Sequence, residues 1–193
     1  MTIETSLEHQ QYTLAAFLDI EGAFNNVRVD AIVDSLSKLG VDVCITNWIK
    51  VMLVSRVIHS TIGSDTTSRS VNRGTPQGGV ISPLLWLLVV NDILLKIESM
   101  RIKAVAYADD VVILSSRLFT TTISEPIGWL KSLANWTSNC GLGVNPDKTE
   151  LVLFTRKNKI QPFRPPRLLG YIISGSIVLM LALIPLILIS VSL

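Results

Sequence analysis

The sequence predicts an α+β fold, an antiparallel sheet backed by helices. Three observations predict it: short apolar runs of strand length, tight turns joining two pairs of such runs, and longer intervening segments whose apolar residues recur at helical spacing. The 193 residues are 49% hydrophobic and 17% charged, with a mean hydropathy of +0.49. That balance excludes a disordered chain and is more apolar than an ordinary soluble domain. The excess is local: all 17 Lys and Arg and all 15 Asp and Glu precede Leu168, so residues 168–193 carry no charge. Cys44 and Cys140 are too few for a disulfide scaffold, and the start of the chain lacks the basic and then apolar pattern of a secretory leader. An intracellular, reducing setting is therefore expected. The formal charge of +2 is smaller than the basic surplus of most nucleic-acid binders and does not identify a partner.

Each element has a local cause. Residues 12–18 form a nearly continuous apolar run, suited to a buried strand that delivers Asp19 at its end. Ala31, Ile32, Val33, Leu36 and Leu39 then recur at helical spacing with Gly40 as the stop. Trp48, Ile49, Met52 and Leu53 repeat the pattern after a cap at Thr46. Residues 56–62 and 66–71 flank Gly63-Ser64-Asp65 and read as a hairpin. Ser82 caps the next helix with Pro83 in its first turn, and the apolar run through Leu95 predicts burial on most sides. A second hairpin pairs residues 103–108 with 111–114 and carries Asp109-Asp110 at its tip. A helix around 127–140 stops at Gly141, and the turn Asn145-Pro146-Asp147 leads into a last strand at 149–154. The uncharged tail exceeds the ~20 residues that cross a bilayer as a helix. An apolar C-terminal helix and membrane insertion through 168–193 are thus expected. The basic residues Arg156, Lys157, Lys159, Arg164 and Arg167 before it would keep the rest of the chain cytosolic. An out-of-frame extension would have the same composition.

Three carboxylates stand out: Asp19 at a strand end, and Asp109 and Asp110 in a hairpin turn. Carboxylates on neighbouring strands can share hard divalent ions, and two such ions about 4 Å apart stabilise both the attacking and the leaving oxygen of a phosphoryl transfer. Taken alone, Asp-Asp is an ordinary turn pair. The wider wording decides between these readings. Phe17-Leu18-Asp19-Ile20-Glu21-Gly22-Ala23-Phe24, Arg73-Gly74-Thr75-Pro76-Gln77-Gly78-Gly79-Val80-Ile81-Ser82-Pro83, Ala106-Tyr107-Ala108-Asp109-Asp110 and Asn145-Pro146-Asp147-Lys148-Thr149-Glu150 follow one another in this order. Together they resemble the successive palm motifs of reverse transcriptases. The wording from Glu21 to Asn26 is similar to the non-LTR retrotransposon branch, and the resemblance covers about residues 12–167.

The resemblance implies an RNA-directed DNA polymerase palm over residues 1–167, with fingers and thumb largely missing and little activity alone. Asp19, Asp109 and Asp110 match the metal-binding triad for two Mg²⁺ ions, with Mn²⁺ as a substitute, and the Ile20 carbonyl matches a further ligand. Phe24 matches the steric gate against a ribose 2′-OH; without the motif it reads as a core aromatic. Pro76, Gln77 and Gly78 match the loop touching the incoming nucleotide and the template, and would otherwise be a Gly/Pro turn. Tyr107 matches the residue beside the primer end. Lys148 matches a lysine near the triphosphate that protonates the leaving pyrophosphate, and would otherwise be a solvated surface lysine. The implied partners are an RNA template, a DNA primer and deoxynucleoside triphosphates. Group II intron reverse transcriptases share much of this wording, and a non-catalytic, membrane-anchored relic is a further alternative. His9 and His59 are isolated, and the sequon Asn135-Trp136-Thr137 falls within a predicted helix.

Overall fold

The computed structural model describes residues 3–117 and 128–157, together with strand segments at 167–168, 171–172, 174–179 and 189–192. The elements run α1 (Ile3–Glu8), β1 (Tyr12–Glu21), α2 (Val29–Lys38), α3 (Val43–Val54), β2 (Arg56–Ile62), β3 (Asp65–Val71), α4 (Ser82–Ser99), β4 (Lys103–Tyr107) and β5 (Asp110–Arg117). They continue with α5 (Gly128–Cys140), β6 (Gly143–Val144), β7 (Glu150–Thr155), β8 (Arg167–Leu168), β9 (Tyr171–Ile172), β10 (Ser174–Leu179) and β11 (Ile189–Ser192). They fall into two compact units. One takes the chain up to Ile20, then 93–136 and the part from Val144 onward; the other takes 21–92 and 137–143.

In the first unit the sheet order is β11-β10-β7-β1-β5-β4, with β1 antiparallel to both β5 and β7. β1 sits centrally because its run is apolar on both faces, which suits a strand flanked on both edges. The register aligns Leu14, Ala16 and Leu18 with Ser115, Ile113 and Val111 of β5, and Leu14 and Ala16 with Leu153 and Leu151 of β7. All of these are buried, so they form one continuous face. Ile93, Ile97, Leu130 and Leu133 of the helices are buried in the same unit. Each such aliphatic side chain contributes roughly 1.5–3 kcal/mol on burial.

In the second unit α2 and α3 pack together, with Ile32, Leu36, Ile49 and Leu53 buried. The β2–β3 hairpin turns through Gly63-Ser64 and forms a two-stranded sheet by itself.

Several expectations are corrected. β1 runs on to Glu21, so Asp19 lies inside the strand and not at its end. The cap of α3 is Asp42, whose carboxylate accepts a hydrogen bond from the Cys44 N–H at 2.8 Å, while Thr46 lies within the first turn. Asp follows the helix-stopping Gly40 by two residues and fixes the start earlier. Ser82 does not cap α4: its hydroxyl donates to the Pro76 carbonyl at 2.7 Å. Nor is α4 buried on most sides. Leu85, Trp86, Val89 and Val90 are buried, but Leu84, Leu87 and Leu95 are each more than half exposed.

The expected apolar C-terminal helix is replaced, among the described residues, by strands. β10 pairs in parallel with β7 from Ser174↔Glu150 to Leu179↔Thr155, and β11 pairs antiparallel with β10. Ser174-Gly175-Ser176 is poor helix sequence, Ile177-Val178 is β-branched, and the outer edge of β7 offers a row of backbone groups to pair with. No helix among the described residues is long and apolar enough to cross a membrane.

Candidate active site

The first unit collects Asp19, Ile20, Tyr107, Asp109, Asp110 and Lys148 around the end of β1. The β1–β5 register places Asp19 directly opposite Asp110, and the Ile20 N–H donates to the Asp109 carbonyl at 3.1 Å. Cross-strand partners share a face, so Asp19 and Asp110 lie side by side, with the Phe17–Val112 pair next along. This face opens only toward this end of the strand, since Thr13 and Ala15 on it are buried. Phe17 is 39% exposed, whereas Leu18 and Ile20 on the opposite face are buried. Tyr107 pairs with Asp110 across a two-residue turn, Ala108-Asp109, and all four residues are exposed. Ala108 holds φ at +53°, a left-handed conformation that costs an alanine roughly 1–2 kcal/mol.

Lys148 is set by a turn on the other side of β1. The Asn145 N–H donates to the Asp19 carbonyl at 3.0 Å. Its side-chain oxygen accepts from the N–H groups of Asp147 at 3.0 Å and Lys148 at 3.3 Å, and the Thr149 hydroxyl donates to its carbonyl at 2.7 Å. Asn145 thus organises the whole turn, and Lys148 Nζ comes to 3.5 Å from Asp19 Oδ2. The carboxylate is the more enclosed partner, with 21% of its side chain exposed against 67% for the lysine. Sequence reasoning treated Asn145 only as turn punctuation. The Asn-Pro-Asp wording was the signal, because an Asn side chain closes such turns on its own backbone.

The oxygen donors of Asp19, Asp109 and Asp110 suit a hard divalent cation in ligand chemistry, and the backbone brings the three positions to one strand end. Among the described residues no group of three or more His, Cys, Asp or Glu is gathered so as to hold a metal ion.

The second unit collects Phe24, Pro76, Gln77 and Gly78. Phe24 lies in the turn following β1, its ring centroid 6.0 Å from that of Trp86 with the planes tilted by 48°. The Phe24 carbonyl accepts from the Thr75 N–H at 2.7 Å, and the Val27 carbonyl accepts from the Gly74 N–H at 2.8 Å. Gly74 is required here: its φ is +68°, and a Cβ would collide with the backbone carbonyls of Phe24 and Asn25. The Gln77 side-chain amide donates to Asn25 Oδ1 at 3.2 Å, which ties the 76–78 loop to the turn after β1. Phe24, Pro76, Gln77 and Gly78 line one cavity of about 410 Å³ with Val80 and Ser82. Asn25 and Trp86 were not anticipated as contributors. Trp86 on an apolar helix carried no signal, but Asn25 follows Phe24 directly in the motif.

Residues 1–173 match the family model described as reverse transcriptase (RNA-dependent DNA polymerase). The chain belongs to the reverse transcriptase family. Among curated proteins, this reverse transcriptase chain is 32% identical over 147 residues to the putative 115 kDa protein of the type-1 retrotransposable element R1DM of Drosophila melanogaster, an alignment covering 74% of the chain and 14% of that protein. It is 24% identical over 159 residues to the RNA-directed DNA polymerase from mobile element jockey of the same fly, covering 79% of the chain and 17% of that protein. A Pol polyprotein of the type-1 element R2 of Popillia japonica is 28% identical over 146 residues, covering 68% and 20%. These relatives agree with the non-LTR wording of the motifs. The reverse transcriptase chain spans 14% to 20% of the length of these relatives. In fold it is similar to apo telomerase from Candida tropicalis truncated from its C-terminal domain, with a TM-score of 0.60, 11% identity, and coverage of 87% of this chain and 36% of that one.

Proposed function

We propose that this chain carries a palm centre for RNA-directed DNA synthesis, in which a primer 3′-oxygen attacks the α-phosphorus of a deoxynucleoside triphosphate. The new O–P bond forms as the bond to the bridging oxygen of pyrophosphate breaks. The observation that supports this most directly is the register pair Asp19↔Asp110 with Lys148 Nζ 3.5 Å from Asp19. Asp19, Asp109, Asp110 and the Ile20 carbonyl would hold two Mg²⁺ ions, or Mn²⁺ in their place, which when bound offset charge on the attacking and leaving oxygens. Lys148, on a mostly exposed stem, donates a proton to the departing pyrophosphate. Phe24, braced by Trp86, forms a wall against a ribose 2′-OH. Pro76, Gln77 and Gly78 contact the nucleotide and the template, with Gln77 oriented by Asn25. Tyr107, 83% exposed at the end of β4, stands beside the primer end. The partners are an RNA template, a DNA primer and deoxynucleoside triphosphates. A second reading, a palm fold without catalysis, rests on the carboxylates not forming, among the described residues, a group of three that could hold a metal ion.

Primer extension on an RNA template with Mg²⁺ or Mn²⁺ separates the two. The assay compares this chain with a chimera in which it replaces the matching segment of the R1DM protein, each with and without Asp109→Ala. The chimera is expected to synthesise DNA and the substitution to cut the rate by at least ~10²-fold, the scale lost when one group stabilising transition-state charge is removed. The chain alone is expected to extend poorly, because positioning supplies much of the acceleration in phosphoryl transfer. A chimera that is inert, or indifferent to Asp109→Ala, would establish the non-catalytic reading.

A further inference from the structure

Helix α3 of the second unit carries apolar residues on two sides, and only one of them is covered. Thr46, Ile49 and Leu53, at steps of three and four, form its buried side. Cys44, Ile45, Trp48, Val51 and Met52 recur at helical spacing on the outer side. Trp48 is 62% and Val51 61% exposed, Ile45 is about half exposed, Cys44 is exposed, and Met52 is half-buried at the edge of the row. A helix that is apolar all round belongs in a protein interior. Single exposed hydrophobics are ordinary, but these five are contiguous over about 12 Å of helix.

The row is symmetric about Trp48. In an antiparallel pair of α3 helices whose twofold axis passes Trp48, Trp48 meets its own copy, Ile45 faces Val51 of the second copy, and Cys44 faces Met52. Every member of the row therefore meets another member, branched aliphatic against branched aliphatic and the small thiol against the adaptable methionine. Charge points the same way. Lys50 is the one charged residue in Val43–Val54, and two positions on from Trp48 it lies about 200° round the helix, away from the row. No like charges would oppose each other across the pair.

The helix ends carry opposite charges. Asp42 caps the start of α3, and Arg56 follows its end. Arg56 is fixed there by hydrogen bonds to the carbonyls of Leu53, Arg73 and Gly74, and it has no carboxylate partner among the described residues. Antiparallel packing brings each end toward the opposite charge on the second copy, where parallel packing would set like on like. The five residues expose on the order of 500 Å² per copy, so a pair buries about 1,000 Å², at the lower end for a specific interface.

We propose that this chain pairs with a second copy of itself through the outer side of α3, antiparallel, with the two Trp48 rings packed at the twofold axis. The pairing is independent of the polymerase chemistry.

Sedimentation equilibrium of the 193-residue chain tests it. The mass is expected to rise from one chain to two between about 1 and 100 μM, the range in which a small interface is half-formed. In chain labelled with fluorotryptophan, fluorine NMR follows each of the four tryptophans separately. The Trp48 resonance, assigned by Trp48→Phe, should move with concentration, while those of the buried Trp86 and Trp129 stay fixed. Val51→Glu should weaken pairing at least ~10-fold by setting a carboxylate against Ile45 of the second copy. Ile62→Glu, at a side chain 82% exposed on the β2–β3 hairpin, should leave it within about twofold of the parent. Adding Ile45→Lys to Val51→Glu should tighten pairing at least ~5-fold over Val51→Glu alone, because the antiparallel register sets each lysine against a glutamate of the other copy. The two positions lie six residues apart, outside the spacing of an ion pair within one helix. Circular dichroism confirms that the variants remain folded.

The pairing is overturned by a chain that stays monomeric throughout, by equal weakening in Val51→Glu and Ile62→Glu, or by a double variant no tighter than Val51→Glu. A chimera with the R1DM protein that stays monomeric where the chain alone pairs would also overturn it, by assigning the row to flanking segments of the longer protein.

Discussion

The β4–β5 hairpin is built into the large sheet, where Val111 and Ile113 are buried, whereas every residue of β2 after Arg56 is exposed and β3 is exposed up to Ser70. Both hairpins close with two-residue turns whose first central residue has a positive φ, the position that a type II′ turn gives to glycine. The exposed hairpin does use glycine there, Gly63 at +64°, but the hairpin bearing Asp109 and Asp110 uses Ala108 at +53°. A left-handed alanine persists only where surrounding structure over-determines it, and β5 is held along its length by β1. The difference teaches that a strained turn at the carboxylates is supported by the sheet, while the isolated hairpin must be locally content.

Burial should dominate that contrast. Ile113→Ala in β5 is expected to cost about 3 kcal/mol, through lost apolar burial and the cavity left behind. Ile58→Ala in β2, at a side chain 61% exposed, should cost under ~0.5 kcal/mol. Urea unfolding of both variants checks this, and equal losses would break the comparison. Turn strain should come next. Ala108→Gly is expected to stabilise by about 1 kcal/mol and Gly63→Ala to destabilise by about the same amount, because glycine alone tolerates φ > 0 at no steric cost. Thermal melts that moved in the same direction for both would show the two turns to be equivalent. The smallest effect belongs to the ion pair behind the carboxylates. Lys148→Met should change stability by no more than ~0.5 kcal/mol, since an exposed lysine gains little from its partner. A loss well above 1 kcal/mol would mean that Asp19 depends on Lys148 for folding.

What was legible in the sequence was local. The 56–62 strand, the Asp109-Asp110 hairpin and the stop at Gly40, whose φ is +71°, follow from alternation and turn residues within a few positions. Strand order was not legible, because placing β1 between β5 and β7 depends on pairings between residues about ninety or more positions apart. α1 was missed altogether: six residues with only Ser6 and Leu7 buried give too short a period to detect. Length and lack of charge do not by themselves make the apolar tail a helix, because Ser174-Gly175-Ser176 and Ile177-Val178 favour a strand once a sheet edge is at hand. Four motifs identified the carboxylates and the Pro76-Gln77-Gly78 loop as a set, yet they did not reach Arg56 and gave Thr75 no role. An arginine in a strand reads as solvated until its bonds to three backbone carbonyls are seen, and the orphaned hydroxyl of Thr75 is a property of packing alone.

The two cysteines differ as sharply as the two hairpins. Cys140 ends α5 only 5% exposed, and burial first, with Asp92 next, pushes its thiol up to about 11. Cys44 stands exposed in the first turn of α3. Since the thiolate is the reactive form and must be reached by its reagent, the folded chain offers an alkylating agent or a dye essentially one address. A maleimide probe would therefore report on α3 without mutagenesis, and a second equivalent of label would signal that α5 had come away from its packing.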